Sequence, residues 1–350
     1  MNTRPKLSFA SDYLEGAHPR ILQRLAETNM LKTAGYGLDE FSEAARQKIR
    51  AACQTPEADV FFFMGGTQTN AVMIGALLKP YQGVIAADSG HISLHEAGAI
   101  EAGGHKVLEL PHRFGKINAE TLSAYIQSYW QDENREHMVM PGLVYISQPT
   151  EYGTLYSLEE LTKISEVCAA HHIALYLDGA RLAYALASPA NNVSLIDIAR
   201  LCTTFYIGGT KCGTLFGEAA VIPQHNYIPH LFTIIKQRGA LLAKGRIAGL
   251  QFDTLFSDNL YFEIGRSAIE ATEIISARLQ ACGYKLAYPS PTNQLFIELE
   301  DARLKELSAQ VEMSFWEKPD TSHTVVRLAT SWATSADDVA ALLKIMQAQH

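Results

Sequence analysis

Two apolar runs in this chain end in residues that can do chemistry together. Ala174, Leu175, Tyr176 and Leu177 lead into Asp178, and Phe205, Tyr206 and Ile207 lead through Gly208, Gly209 and Thr210 into Lys211. A lysine amine can condense with an aldehyde, and a carboxylate can keep a pyridine nitrogen protonated so that the ring accepts electrons. A strand ending in aspartate, followed by a strand ending in Gly-Thr-Lys, therefore points to pyridoxal phosphate (PLP) as cofactor, with Lys211 as its Schiff-base lysine and Asp178 as its ring partner.

Other residues fit around that pair. Phe61, Phe62, Phe63 and Met64 run through Gly65 and Gly66 into Thr67, a strand passing through glycines into a helix. Free N–H groups at such a helix start attract phosphate, and Thr67 adds a hydroxyl. A second strand-to-helix passage, Ala87 to Glu96, carries His91, which can lie flat on the ring, exchange protons above it, or merely cap the helix. His95 follows one turn later, to line a substrate pocket or support Glu96. Glu151 lies in the loop Gln148-Pro149-Thr150-Glu151-Tyr152-Gly153, as a base or as a solvated turn residue. Arg181 can reach the ring hydroxyl or a substrate carboxylate. Arg327, inside the apolar run Val325 to Ala329, calls for an anion, either a substrate carboxylate or a structural salt bridge. His171 and His172 are adjacent and lack a third ligand at suitable spacing, so no metal site is expected.

The elements that must position these residues alternate. Strands are expected at Val60–Met64, Gly83–Ala87, Lys106–Leu110, Met140–Ser147, Ala174–Asp178, Thr203–Gly208 and Ala219–Ile222. Helices are expected at Gln68–Leu78, Ile92–Ala102, Asn118–Gln131, Leu158–His171 and Ser194–Arg200. The alternation predicts an α/β fold with a mostly parallel seven-stranded sheet, whose ligands bind at the carboxyl ends of the strands. Long helices follow over Leu231–Gly245 and Leu250–Cys282, then strands at Leu295–Glu300, Ser314–Glu317 and Val325–Ala329 and a last helix from Ala336. We expect a large PLP-binding domain over 1–250, including an N-terminal segment 1–40, and a small α+β domain over 251–350, with the extended stretch Ser8–Gly16 packing back onto the rest.

The 350 residues suffice for two cores, and 47% hydrophobic with 19% charged is a globular balance. A net charge of −8 argues against nucleic acid or an anionic membrane as partner. No apolar run reaches the ~20 residues of a membrane span. Cys53, Cys168, Cys202, Cys212 and Cys282 show no paired spacing, which suits reduced thiols in a cytoplasm, and the N-terminus does not read as a signal peptide. The glycine loop lacks the G-x-G-x-x-G pattern, which leaves a nucleotide-binding oxidoreductase without support.

Taken together these residues resemble the threonine aldolase family, within the β-eliminating lyase group of fold-type I PLP enzymes. The resemblance is carried by Phe9-Ala10-Ser11-Asp12-Tyr13, Tyr36-Gly37-Leu38-Asp39, Gly66-Thr67-Gln68-Thr69-Asn70, His91 with Glu96-Ala97-Gly98, Asp178-Gly179-Ala180-Arg181, Lys211 and Val326-Arg327-Leu328. It implies an aspartate-aminotransferase-like large domain and cleavage of a β-hydroxy-α-amino acid, such as L-threonine, L-allo-threonine or phenylserine, to glycine and an aldehyde. β-Elimination or transamination is the alternative on the same scaffold. The resemblance further implies that Gly66 and Thr67 hold phosphate, that His91 stacks on the ring, and that Ser11, Arg181 and Arg327 bind the substrate carboxylate. Arg246 is implied as an aid to phosphate or substrate binding, with Arg238 as rival. A homodimer or homotetramer with sites at subunit interfaces is implied as well. Many family members carry histidine where this chain has Glu151, and the Thr-Glu-X-Gly version resembles a low-specificity bacterial branch. That leaves Glu151, His91 or a bound water as the base.

Overall fold

The computed structural model describes residues 6–347. In chain order its strands are β1 (Leu7–Ser8), β2 (Asp59–Phe63), β3 (Gln82–Ala87), β4 (Val107–Leu110), β5 (Met140–Ser147), β6 (Ala174–Asp178), β7 (Thr204–Gly208), β8 (Glu218–Ile222), β9 (Lys285–Leu286), β10 (Gln294–Glu300), β11 (Val311–Glu312), β12 (Ser314–Glu317) and β13 (His323–Ala329). All seven strands expected in the first part of the chain enter one sheet, ordered β2-β8-β7-β6-β5-β3-β4. Strands β4, β3, β5, β6 and β7 are parallel, and β8 runs against β7 and β2. Both faces of the sheet are covered, which is why its strands are apolar throughout rather than alternating. Ile85, Val144, Leu175 and Phe205 pack into the core on one face. Val84, Leu143, Tyr145, Tyr176 and Tyr206 pack into the core on the other.

The helices start where the sequence supplies caps. Asp39 and Asn118 accept the backbone N–H of Ser42 and Thr121, and Ser157 and Ser194 form reciprocal caps with Glu160 and Asp197. Three expected helices are broken instead. The stretch 92–102 divides into His91–Leu94 and Ala99–Ala102, because Ala97 and Gly98 take φ of 52° and 70°. The stretch 231–245 stops at Gln237, ahead of Gly239 with φ 69°. The stretch 250–282 is two helices, Arg246–Leu255 and Leu260–Ala281, parted by Asp258 and Asn259 with φ of 52° and 59°. Residue 250 thus lies within a helix that packs on Glu40–Cys53 of the large lobe. Composition alone shows apolar periodicity on both sides of such breaks and not the left-handed residues between them.

A second sheet, ordered β12-β13-β10-β9, is antiparallel and encloses a smaller core with Ile275, Ile297, Leu299, Val326 and Leu342. The N-terminal segment returns to this lobe: β1 pairs with β11, Phe9 is buried in the small core, and the Phe9 carbonyl accepts the N–H of Ala329 at 2.8 Å. No helix among the described residues is long and apolar enough to cross a membrane.

Helix Arg246–Leu255 approaches Glu40–Cys53 so closely that a Cβ at Gly249 would lie 2.2 Å from Ser42 Oγ and 2.5 Å from Ser42 Cα. Gly249→Ala is expected to lower the unfolding free energy in urea by about 2 kcal/mol. Gly16→Ala, where nothing lies within 4 Å of the added carbon, serves as the near-neutral comparison.

Candidate active site

The carboxyl ends of β5, β6 and β7 meet at one cavity of about 250 Å³, whose lining includes Gly66, Thr67, His91, Glu151, Asp178 and Lys211. It opens into a wider one of about 710 Å³ that reaches His95, Tyr152, Phe315, Trp316 and Arg327. The sequence-predicted residues from six separate segments are thereby brought together.

Asp178 ends β6 and is buried. One carboxylate oxygen accepts the Tyr206 hydroxyl at 2.5 Å and the Ala180 N–H at 3.0 Å. The other accepts the Tyr145 hydroxyl at 2.6 Å and the Asn70 amide at 3.1 Å. Burial raises its pKa, but attraction to His91 and these hydrogen bonds outweigh it, so Asp178 lies below the ordinary carboxylate value. Asn70 in turn donates to Glu96 at 2.8 Å and accepts from Tyr176 at 3.0 Å. Glu96, fully shielded, also bonds His91 Nδ1 at 2.8 Å, which fixes the ring and leaves Nε2 as its free nitrogen.

Glu151 is not a solvated turn residue. Its Oε1 accepts the His91 backbone N–H at 2.9 Å and the Ser147 hydroxyl at 3.0 Å. Burial, joined by the charge of Asp178, raises its pKa above the usual carboxylate range. Lys211 follows β7 across the cavity. Burial lowers its amine below the ordinary lysine value, and the charge of Arg181 lowers it further.

The two expected arginines differ. Arg181 pairs with buried Asp12 through Nε at 2.6 Å and Nη2 at 3.0 Å, so its charge is already compensated. Arg327 makes no ion pair among the described residues, which removes the structural salt bridge as its explanation. Its partners are neutral, Gln294 Oε1 at 3.0 Å and the Ala10 carbonyl at 3.3 Å, and its Nε is buried without one. Ser11 Oγ is likewise buried and unpartnered. Arg246 stands apart from the cavity, donating to the Thr28 and Leu31 carbonyls at 2.8 and 3.2 Å. Arg238 lies beside Gly75, near the C-terminal end of the helix Gly66–Leu77 rather than its start.

These residues fit PLP. The helix Gly66–Leu77 begins at Gly65 without a side-chain cap, leaving its first N–H groups for a phosphate. A Cβ at Gly66 would sit 3.1 Å from the Tyr206 hydroxyl, in the space a ligand needs between helix start and β7. Beyond that approach stand Asp178 for a ring nitrogen and Lys211 for an aldehyde.

Several members of the site were not singled out from the sequence. Tyr145, Tyr176 and Tyr206 interrupt aliphatic strands, and a hydroxyl on a strand covered on both faces must find a buried partner. That signal was available. Glu218 gave none, because nothing in its own segment marks a carboxyl that folds back on the turn before Lys211, and Asp12 entered only through the family resemblance, its partner Arg181 lying 169 positions away.

Asp12 is buried, which raises its pKa, but Arg181 and Lys211 overcome this and hold it at about 2, below its ordinary 3.8. The ion pair therefore adds stability above the ordinary value that is lost as pH falls through about 2. Asp12→Asn is expected to cost about 3 kcal/mol at neutral pH, with the difference from wild type narrowing toward the acid end, as read by denaturation at stepped pH.

The beta-eliminating lyase family model matches residues 8–306. The solved structure of Leishmania major threonine aldolase is 45% identical, with a TM-score of 0.95, covering 98% of this chain and 99% of that one. The low specificity L-threonine aldolase of Pseudomonas aeruginosa is 28% identical over 309 residues, 86% of this chain and 87% of its own length. Aspartate aminotransferase from Thermus thermophilus shares the fold, at 18% identity and a TM-score of 0.71 over 98% of this chain and 91% of that one. With its lysine, aspartate and glycine-bounded helix start assembled in one cavity, this chain belongs to the beta-eliminating lyase family and is a PLP-dependent lyase.

Proposed function

We propose that this chain cleaves L-threonine, L-allo-threonine or a related β-hydroxy-α-amino acid such as phenylserine to glycine and an aldehyde. The observation that carries this reading is one cavity holding Lys211, Asp178 and Glu151. Bound PLP supplies the electron sink for a broken Cα–Cβ bond. The chain supplies the rest. Gly66 and Thr67 would offer N–H groups to the cofactor's phosphate, Asp178 would hold its ring nitrogen protonated, and His91 would stack on its ring. Arg327, whose charge has no anionic partner among the described residues, takes the substrate carboxylate, assisted by Ser11 and by the remaining nitrogen of Arg181. Holding the carboxylate there would fix the orientation of the substrate within the cavity. Glu151 Oε2 removes the proton from the β-hydroxyl, and the raised pKa of this carboxyl suits it to that task.

Elimination or transamination remains the alternative chemistry for the same residues. Exposed Tyr13, Leu14, Leu31, Tyr36 and Leu38 along the N-terminal segment support assembly as a homodimer or homotetramer with sites near subunit interfaces, a setting in which Arg246 can serve a neighbouring site. Five unpaired cysteines suit a reducing cytoplasm.

Purified protein supplied with PLP is expected to release glycine and an aldehyde from at least one of the three hydroxy-amino acids. Ammonia with a keto acid would instead establish elimination. Lys211→Ala is expected to lose both turnover and the absorbance band of the bound cofactor near about 420 nm. Glu151→Gln is expected to keep the band but lower kcat by about 10²–10⁴-fold, with the acid limb of the pH–kcat profile lost. A loss within about threefold would reassign the base to His91 Nε2 or a water.

A further inference from the structure

The carboxyl that none of the steps above uses is Glu218. It opens β8, the one antiparallel strand beside β7, in register with Gly208, and it is 3% exposed. Its Oε2 accepts the N–H of Gly209 at 3.0 Å, and the Thr210 hydroxyl donates to the same carboxyl. Thr210 Oγ1 is itself held by the Gly217 N–H at 3.0 Å, so the turn is tied to β8 from both sides. Gly209 and Thr210 are the two residues immediately before Lys211. A Cβ on Gly209 would lie 2.6 Å from the Gly217 carbonyl, which shows how tightly the two strands close over this turn.

Glu218 and Lys211 line the same cavity. The other titratable groups acting with Glu218 are Asp178 and Tyr176 from β6, Tyr206 from β7, Cys212 beside the lysine and Tyr261 from helix Leu260–Ala281. Lys211 also feels Arg181 and Asp12. The tyrosines and the cysteine are pushed upward by burial and stay neutral, and Asp178 is committed to its four hydrogen bonds.

We propose that Glu218 is a positioning residue for Lys211: it pins the turn that carries the lysine and brings its carboxyl into the cavity that the amine shares. Burial pushes Glu218 up to about 8, against the opposing pulls of Thr210, Lys211 and Gly209, while burial brings Lys211 down. The carboxylate also keeps Lys211 protonated to a higher pH than burial beside Arg181 alone would allow.

The inference rests on the PLP reading, and its test separates the two. Apoprotein is mixed with PLP across pH 5 to 10, at roughly half-unit steps, and capture is followed as the rise in absorbance near about 420 nm. In Glu218→Gln the acceptor for the Gly209 N–H is kept and the charge is lost. The pH midpoint for capture is then expected to fall by about one unit while the melting temperature holds. Glu218→Asp restores the charge, and its midpoint is expected near that of wild type, with slower capture because the shorter side chain no longer reaches the turn. A Glu218→Gln profile that superimposes on wild type overturns the proposal alone. Wild-type protein that captures no PLP at any pH overturns the cofactor reading and this proposal with it.

Discussion

Charge taken out of water at the carboxyl edge of a parallel sheet must be compensated there, and this requirement organises the molecule. Asp12, Glu96, Asp178 and Glu218 are all nearly inaccessible to solvent. Each costs several kcal/mol unless hydrogen bonds or opposite charge replace the lost hydration. The structure meets that cost locally: four hydrogen bonds to Asp178, a two-point ion pair from Arg181 to Asp12, and His91 with Asn70 on Glu96. Arg327 is the exception, since its partners are neutral. A cation left in that condition at the mouth of a cavity is the place where an anionic ligand group gains most.

Compensation also binds the lobes together. Asp12 belongs to the N-terminal segment, Arg181 follows β6 of the large sheet, and Asn293, which donates to Asp12 at 2.9 Å, precedes β10 of the small one. One buried carboxylate thus receives hydrogen bonds from both lobes. A second tie is aromatic: Tyr152, the neighbour of Glu151, packs edge-on against Tyr288 and Trp316, with ring centroids 4.8 and 5.3 Å away, and Phe296 meets Trp316 at 4.7 Å. The loop carrying Glu151 therefore depends on the small lobe for its position.

The main sheet was legible because its strands are buried on both faces and so appear as continuous apolar runs between helical stretches. Lys211 and Asp178 were legible for a related reason, since a charged residue closing an apolar strand has few structural roles. Helix breaks at Ala97-Gly98 and Asp258-Asn259 were not, because the apolar spacing continues across them. The Asp12–Arg181 pair spans 169 positions, and Glu218 meets the turn before Lys211 through the pairing of two antiparallel strands. Such contacts follow from strand order, which a linear pattern does not contain. Tyr145, Tyr176 and Tyr206 lie between these cases: their hydroxyls announced a buried polar network, but not its centre at Asp178.

Asp178 and Glu151 sit in the same cavity, and burial pushes both toward the neutral acid. What divides them is hydrogen bonding. Asp178 has donors on both oxygens, and with the attraction of His91 these bring it below the ordinary value. Glu151 has side-chain partners on Oε1 alone, and the negative charge of Asp178 adds to burial in raising it. The carboxylate that stays anionic therefore helps to keep its neighbour able to take up a proton. Two carboxyls driven apart in this way can divide a reaction between them, one holding a fixed charge and the other moving a proton. A histidine in the Glu151 position would not feel the same push, because burial and a nearby anion act on its pKa in opposite directions. In the proposed reaction the proton affinity of Glu151, raised first by burial, is raised further by the charge of Asp178.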